Sequence, residues 1–372
     1  GLDNETAGGI YGLLIGGVVL APFVFGYLAD LIGIKRSAVL ACAITALGTI
    51  FLSISSYLMS IAWVYIGLAL FVIAQGFFKP SVYVLLGSLY EDKNDPRRDS
   101  GFTFMFLAIN VGAFIAPLVC GTLGEKFSWS LGFLIAGLFS LSAIPLLKGV
   151  KDFKYPKQKG LTEQEKKNVY ALMVFAVFVG IMWSVISGYS DFIGSVLANS
   201  AGELTSKLGF WMNILTMSVG VVLIPFFVWL WVYLHNKGKG ITTIHKFMLG
   251  FVSFSISFMF LYFVFIIYQR TTTINIPMMA LATIFSAIAE LLVAPIALSL
   301  VTKLSPAKVA AFVIGAWYVT QLISRFINSL IPEYGTFSDI WLFIFPVILC
   351  AACIIGLYLL LKPLRRWMGN VQ

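Results

Sequence analysis

The sequence predicts an all-α membrane protein, and three observations carry that prediction. Hydrophobic residues make up 60% of the 372 positions and charged residues only 11%, where soluble domains carry about 25% charged residues. Mean hydropathy is +0.95. Apolar runs of about 20 residues recur along the chain, each long enough to cross the ~30 Å hydrocarbon core as a helix. Barrel strands would be shorter and would alternate in polarity.

Eleven spans follow in order, at about 8–29, 38–57, 61–89, 101–122, 129–148, 168–188, 208–234, 245–268, 274–302, 307–331 and 337–361. The first ends at Asp30 and the pair Lys35-Arg36 precedes the second. A mixed-charge turn from Glu91 to Asp99, which reads as a solvated loop, separates the third from the fourth. Lys148 to Lys167 is the longest internal hydrophilic stretch and follows the fifth span. Lys237, Lys239 and Lys246 lie at the turn from the seventh to the eighth, Lys303 and Lys308 at the turn from the ninth to the tenth, and Lys362, Arg365 and Arg366 follow the eleventh. These loops all fall on one side of the membrane and hold 20 of the 25 basic residues, so the positive-inside rule makes that side cytoplasmic. The C-terminus is then inside and the start outside.

An odd span count with an external start at Gly1 is repaired by one further helix ahead of the chain. That gives twelve helices with both ends inside. The domain reading is an N-terminal helical half over 1–147, a cytoplasmic linker over 148–167 and a C-terminal half over 168–372. Two related halves with a midplane site between them are a transporter layout.

Two charges break the apolar runs. Lys79 lies within Phe77-Phe78-Lys79-Pro80-Ser81, with apolar residues continuing to Leu89. A cation at this depth costs ~2.5–3.5 kcal/mol, so it needs a partner, a water-filled cavity or both. Snorkelling from a helix end is disfavoured, because the cytoplasmic charges are about ten residues, or ~15 Å, further on. The following proline removes a backbone donor and loosens the helix there. Glu290, in Ala289-Glu290-Leu291-Leu292, is as deep in the second half. Together the two predict a central cavity with one charge from each half.

After the first span comes Gly26-Tyr27-Leu28-Ala29-Asp30-Leu31-Ile32-Gly33-Ile34-Lys35-Arg36, the pattern G-x-x-x-D-x-x-G-x-[KR]-[KR]. It resembles the loop between the second and third helices of the major facilitator superfamily. Asp30 pairs with a cation or caps a neighbouring helix, while Gly26 and Gly33 allow close approach and a tight turn. Gly26, Asp30, Gly33, Lys35 and Arg36 are expected to form a conformational latch.

The run from Phe78 to Phe133 is more specific. It carries Lys79-Pro80, Gly87-Ser88-Leu89-Tyr90, Asp95-Pro96-Arg97-Arg98-Asp99 and Phe106 to Ala113, which includes Ile109-Asn110. In the second half stand Glu290-Leu291-Leu292-Val293-Ala294-Pro295 and Gly315-Ala316-Trp317-Tyr318. These segments resemble the proton-dependent oligopeptide transporter family of the major facilitator superfamily. The resemblance implies the facilitator fold and proton-coupled import of di- and tripeptides by alternating access. It implies that Lys79 serves proton coupling and the peptide carboxylate, and that Asn110 hydrogen-bonds the peptide backbone. Glu290 would engage the amino terminus and the proton, and Trp317 and Trp183 would line the site. A zwitterionic peptide has opposite charges at its ends, which Lys79 and Glu290 complement.

Departures from the family pattern are also visible. The first-helix E-x-x-E-R-F stretch is not in this chain. The seventh helix reads Met182-Trp183-Ser184-Val185-Ile186-Ser187, so Trp183 matches but the family's acid is Ser187; Asp191, one turn on, reads as an external-loop aspartate, with substitution for the acid as the second reading. The L-N-P of the eighth helix is missing near Thr216, and Ala294 replaces the serine before the tenth-helix proline. These changes keep open another small solute on the same fold: amino acids, a peptide-like siderophore, nitrate or a drug. A non-transporting receptor or scaffold is the third reading, against which stand the deep charges.

Other function classes find little support. No phosphate-binding glycine loop, metal cluster or nucleophile–base pattern is present, so ATP-driven transport and catalysis are not expected. No cofactor other than the proton as coupling ion is expected. The cations lie in short loops, where topology explains them without nucleic acid. Cys350 and Cys353 form a C-x-x-C on an apolar span, which reads as packing. Arg325 reads as snorkelling or as a partner of Asp191 or Glu290. The partners expected are small peptides or a related solute, protons and membrane lipid, with the chain working as a monomer.

Overall fold

A computed structural model describes residues 4–58, 60–152, 160–199, 203–271, 275–329 and 341–369. Among them the secondary structure is entirely helical. The helices are α1 (Asn4–Ile32), α2 (Ile34–Leu58), α3 (Ile61–Ser88), α4 (Pro96–Ala116), α5 (Thr122–Lys126), α6 (Trp129–Gly149) and α7 (Glu163–Asn199). They continue with α8 (Glu203–Asn236), α9 (Thr243–Thr271), α10 (Ile276–Leu304), α11 (Ala310–Tyr318), α12 (Thr320–Ser329), α13 (Trp341–Leu359) and α14 (Leu361–Met368). Among the described residues ten stretches are long and apolar enough to cross a membrane, and α13 with α14, bent by 59°, counts as an eleventh if the pair is one span. Each expected span falls on one of these.

Several helices start earlier than hydropathy alone predicts, and their caps explain why. Asp95 accepts the Arg97 backbone N–H at 2.8 Å, and Pro96 opens α4 where its missing donor costs nothing. The fourth span therefore starts at Pro96, not near 101, and the supposed solvated turn shrinks. Arg98, Asp99 and Ser100 are buried in the first turns of α4. At α7, Thr162 and Glu165 form a capping box: the Glu165 N–H donates to Thr162 Oγ1 at 3.2 Å, and the Thr162 N–H donates to Glu165 Oε2 at 2.7 Å. At Pro117 the ladder loses a donor, and one π-helical turn, Pro117–Gly121, bridges α4 to α5. Pro80, by contrast, sits inside an unbroken α3.

The chain forms two compact units. The first comprises residues 1–91, 109–165 and 301–319; the second comprises 92–108, 166–300 and 320–372. Within the first unit, α2 packs on α3 and α6, and α1 packs on α3 and α11. Lipid gives apolar helices no hydrophobic reason to associate, so small residues and hydroxyls hold them together. Ser53 and Ser130 share a 2.6 Å hydrogen bond, and Ser140 donates to the Cys42 carbonyl at 3.1 Å, both between α2 and α6.

Within the second unit, α9 presents a buried stripe at Phe247, Phe251, Phe254, Phe258 and Leu261, the three-to-four spacing of one helix face. Ser253 and Ser257 donate to the Phe285 and Ala282 carbonyls of α10 at 2.7 and 2.8 Å. The Tyr189 hydroxyl of α7 donates to Thr283 of α10 at 2.9 Å. Cys350 and Cys353 are buried free thiols in α13, in keeping with a packing role.

Candidate functional site

In the first unit the signature loop is a joint between α1 and α11. Asp30, near the end of α1, accepts the Ala311 and Phe312 backbone N–H groups at 3.1 and 2.8 Å. Of the two partners foreseen for Asp30, these are the helix end: both donors sit in the first turn of α11, where N–H groups lack intrahelical partners and the dipole favours an anion. Gly26 and Gly315 make the approach close enough. A Cβ on Gly26 would stand 2.5 Å from the Ala311 carbonyl oxygen, and one on Gly315 would stand 1.9 Å from that of Pro22. Gly33 ends α1 at φ +110°, a conformation that favours glycine. Lys35 Nζ donates to the Lys148 and Val150 carbonyls at 2.8 and 2.6 Å, satisfying the end of α6 with a cation. Arg36 is exposed. Asp30→Ala is expected to cost about 1–2 kcal/mol, the value of a helix cap. It would lower the thermal unfolding midpoint in detergent; an unchanged midpoint would mean that the cap contributes nothing.

Lys79 lies half-buried in α3. Its ammonium stands over the Tyr318 ring, 5.0 Å from the centroid. Tyr83, one turn along α3, packs against the same ring with centroids 6.4 Å apart. Among the described residues Lys79 makes no ion pair and no hydrogen bond. Trp317, next to Tyr318, is buried, and Asn110 is half-buried in α4.

In the second unit Glu290 lies half-buried in α10, between buried Ala289 and buried Leu291. It too makes no ion pair or hydrogen bond among the described residues. Trp183 is half-buried in α7, and its carbonyl accepts the Ser187 hydroxyl at 2.9 Å. Ser187 belongs to a neutral network: Asn328 Nδ2 of α12 donates to Ser187 Oγ at 2.6 Å, and Ser184 Oγ donates to Asn328 Oδ1. Asn328 was not singled out in the sequence, since an amide in a weakly polar helix carries no charge to mark it. Arg325 is exposed. The side chains of Asp191 and Thr216 lie outside the described residues.

A second constellation replaces what the sequence presents as loop charge. Lys246 is not in a loop but in the first turn of α9, 5% exposed. It donates to Asp99 Oδ2 at 2.8 Å, and Ser299 Oγ donates to the other carboxylate oxygen at 2.6 Å. The ammonium also lies over the Trp231 ring, 4.5 Å from its centroid. Lys303, likewise expected in a loop, is buried in the last turn of α10. Spacing along α9 held the signal: Lys246 falls seven residues before Ser253 and four before Gly250, on the buried face. In the turn ahead of α4, the Arg97 side chain bonds Asp95 at 2.7 Å and holds its carboxyl below the usual carboxylate range. The cavity formed by Phe258, Tyr262, Phe343 and Val347 is apolar and holds none of the expected site residues.

The chain matches the PTR2 model, described as the POT family, over residues 35–187 and 153–339. It is 26% identical to the uncharacterized transporter YclF of Bacillus subtilis, with 100% of this chain and 88% of the relative covered. It is 24% identical to the peptide transporter YePEPT of Yersinia enterocolitica, with the same coverage. A di-/tripeptide transporter of Lactococcus lactis subsp. cremoris is 25% identical, with 98% of this chain and 87% of the relative covered. The match to YclF runs over 448 residues, more than this chain's 372, so that relative carries insertions within the matched region. Among solved structures, a peptide transporter POT in complex with sulfate superposes with a TM-score of 0.66 at 21% identity, covering 100% of this chain and 88% of that one. A POT family transporter in complex with a thioalcohol-conjugated peptide superposes with a TM-score of 0.64 at 17% identity, covering 96% and 88%. The fold is that of the major facilitator superfamily, and the protein is a multi-pass membrane protein. With the family match reaching from residue 35 to residue 339, the chain belongs to the POT family.

Proposed function

We propose that the protein is a proton-coupled importer of di- and tripeptides, working by alternating access between helical halves 1–147 and 168–372 joined by the linker 148–167. Membership of the POT family and the peptide transporters among its relatives support this reading. The observation that carries it is the pair of charges Lys79 and Glu290. Each is half-buried in an apolar span, and among the described residues neither has an ion-pair partner. A charge held in a span at several kcal/mol without a protein counter-ion marks a functional site. Lys79 takes the peptide carboxylate and Glu290 the peptide amino terminus. Asn110 bonds the peptide backbone, Trp317 and Trp183 line the site, and Lys79 and Glu290 carry the coupled proton. The chain sits in the cell membrane with its basic loops and C-terminus on the cytoplasmic side, and works as a monomer with the proton as its coupling ion.

The test is uptake by the full-length protein in proteoliposomes. Labelled dipeptide is expected to accumulate when the outside is acid and to be displaced by unlabelled di- and tripeptides. Absence of uptake for every dipeptide tried would remove the peptide reading.

A further inference from the structure

We propose that the helix pair α13–α14 holds an anionic phospholipid, with its phosphate on Lys362, Arg365 and Arg366 and an acyl chain along α13. The inference does not depend on the cargo. It starts from helical spacing. Ile348, Ile355, Leu359, Lys362 and Arg366 follow one another at steps of seven, four, three and four residues, and all are exposed among the described residues. They therefore share one face. Cys350, Cys353, Leu357, Leu364 and Met368 are buried and mark the opposite face. The exposed face is apolar up to Leu359 and basic from Lys362 on, and residues 341–372 contain no Asp or Glu.

The positive-inside rule accounts for cations after a span, but not for their alignment with an apolar strip. The bend gives that alignment a use. Pro363 has no N–H for the Leu359 carbonyl, and its ring crowds that oxygen. Helix α14 turns 59° away from α13 there, toward the plane of the membrane surface. With Leu364 and Met368 inward and three cations outward, it has the pattern of an interfacial helix. Trp367 is half-buried beside them, and tryptophan favours this depth. Room for a chain lies next to the strip. The apolar cavity between α9 and α13, about 500 Å³, is lined by Ile344 and Ile354 of α13 and Met259 of α9. Ile354 stands eight residues before Lys362, ~12 Å along a helix, within reach of an acyl chain whose phosphate lies at Lys362. Lys and Arg clustered directly after a span attract anionic headgroups, whereas a phosphocholine would bring its own cation to three others.

Native mass spectrometry of the full-length protein in detergent tests this, with phosphatidylglycerol and phosphatidylcholine of the same acyl chains as probes. The parent is expected to bind phosphatidylglycerol about tenfold more tightly than phosphatidylcholine. The triple variant Lys362→Gln, Arg365→Gln, Arg366→Gln is expected to lose that preference. A second triple variant, Lys167→Gln, Lys237→Gln, Lys239→Gln, removes as much charge elsewhere and is expected to keep it. All six side chains are exposed, so both variants are expected to unfold at the parent's midpoint without added lipid. Equal binding of the two lipids by the parent, which is the result if another segment of the protein covers this face, would overturn the proposal. So would equal weakening in both triple variants. Glycerol 3-phosphate carries the anion without the chain and is expected to displace no lipid; displacement would overturn the acyl-chain assignment in favour of a free-phosphate site.

Discussion

Glu290→Gln and Lys79→Ala are each expected to abolish dipeptide accumulation while leaving membrane insertion and thermal stability intact. Hydrogen bonds to charged groups contribute about 1.5–3 kcal/mol, so losing one end of a zwitterionic substrate lowers affinity roughly 10- to 100-fold. Accumulation fails altogether when the group carrying the proton is removed. Stability behaves differently. Both residues are half-buried without an ion-pair partner among the described residues, so neutralising them relieves a desolvation cost, which for Lys79 offsets the lost contact with the Tyr318 ring. This separation of transport from stability distinguishes a site charge from a structural one. Uptake together with thermal unfolding of the same preparations measures it, and normal pumping by both variants would contradict the assignment.

The second large effect falls on stability. Asp99→Leu would leave the Lys246 ammonium buried with its carboxylate partner gone. Breaking one side of a buried pair costs about 3–5 kcal/mol, and both partners here are at most 6% exposed. Replacing both, as in Asp99→Leu with Lys246→Met, is expected to restore most of the loss, because an apolar pair bears no desolvation penalty. Ser299→Ala, which removes one donor to Asp99, is expected to cost about 1 kcal/mol. Detergent thermal unfolding of these three variants, of Lys246→Met alone and of the parent checks this. A double variant as weak as the sum of the singles would show that the pair is not coupled.

How far the sequence reveals this molecule depends on where its charges fall. Lys79 and Glu290 stand out because apolar residues flank them for two turns or more. The spans are legible for the same reason, as hydropathy integrates over 20 positions. Asp99 and Lys246 were hidden because a charge within a turn of a helix end looks like a loop charge. Only the helix face decides, and it depends on where the cap starts the helix. Asp95 and Pro96 move the start of α4 back and carry Asp99 inside. The joint through Asp30 was half legible: the motif marks an anion beside a turn, yet that it meets the first turn of α11 is a contact across more than 280 residues. The Ser187–Asn328 network was illegible, because its members are uncharged and lie far apart in the chain.

Proton entry recorded during dipeptide transport tests the central claim most directly. Proteoliposomes with a pH-sensitive dye inside would receive a dipeptide, its N-acetylated form and its C-terminally amidated form in separate trials. The account predicts internal acidification with the free dipeptide. It predicts about tenfold less or none with either blocked form, since each removes the charge that Glu290 or Lys79 recognises. Acidification of equal size with all three, or none with any, would contradict it.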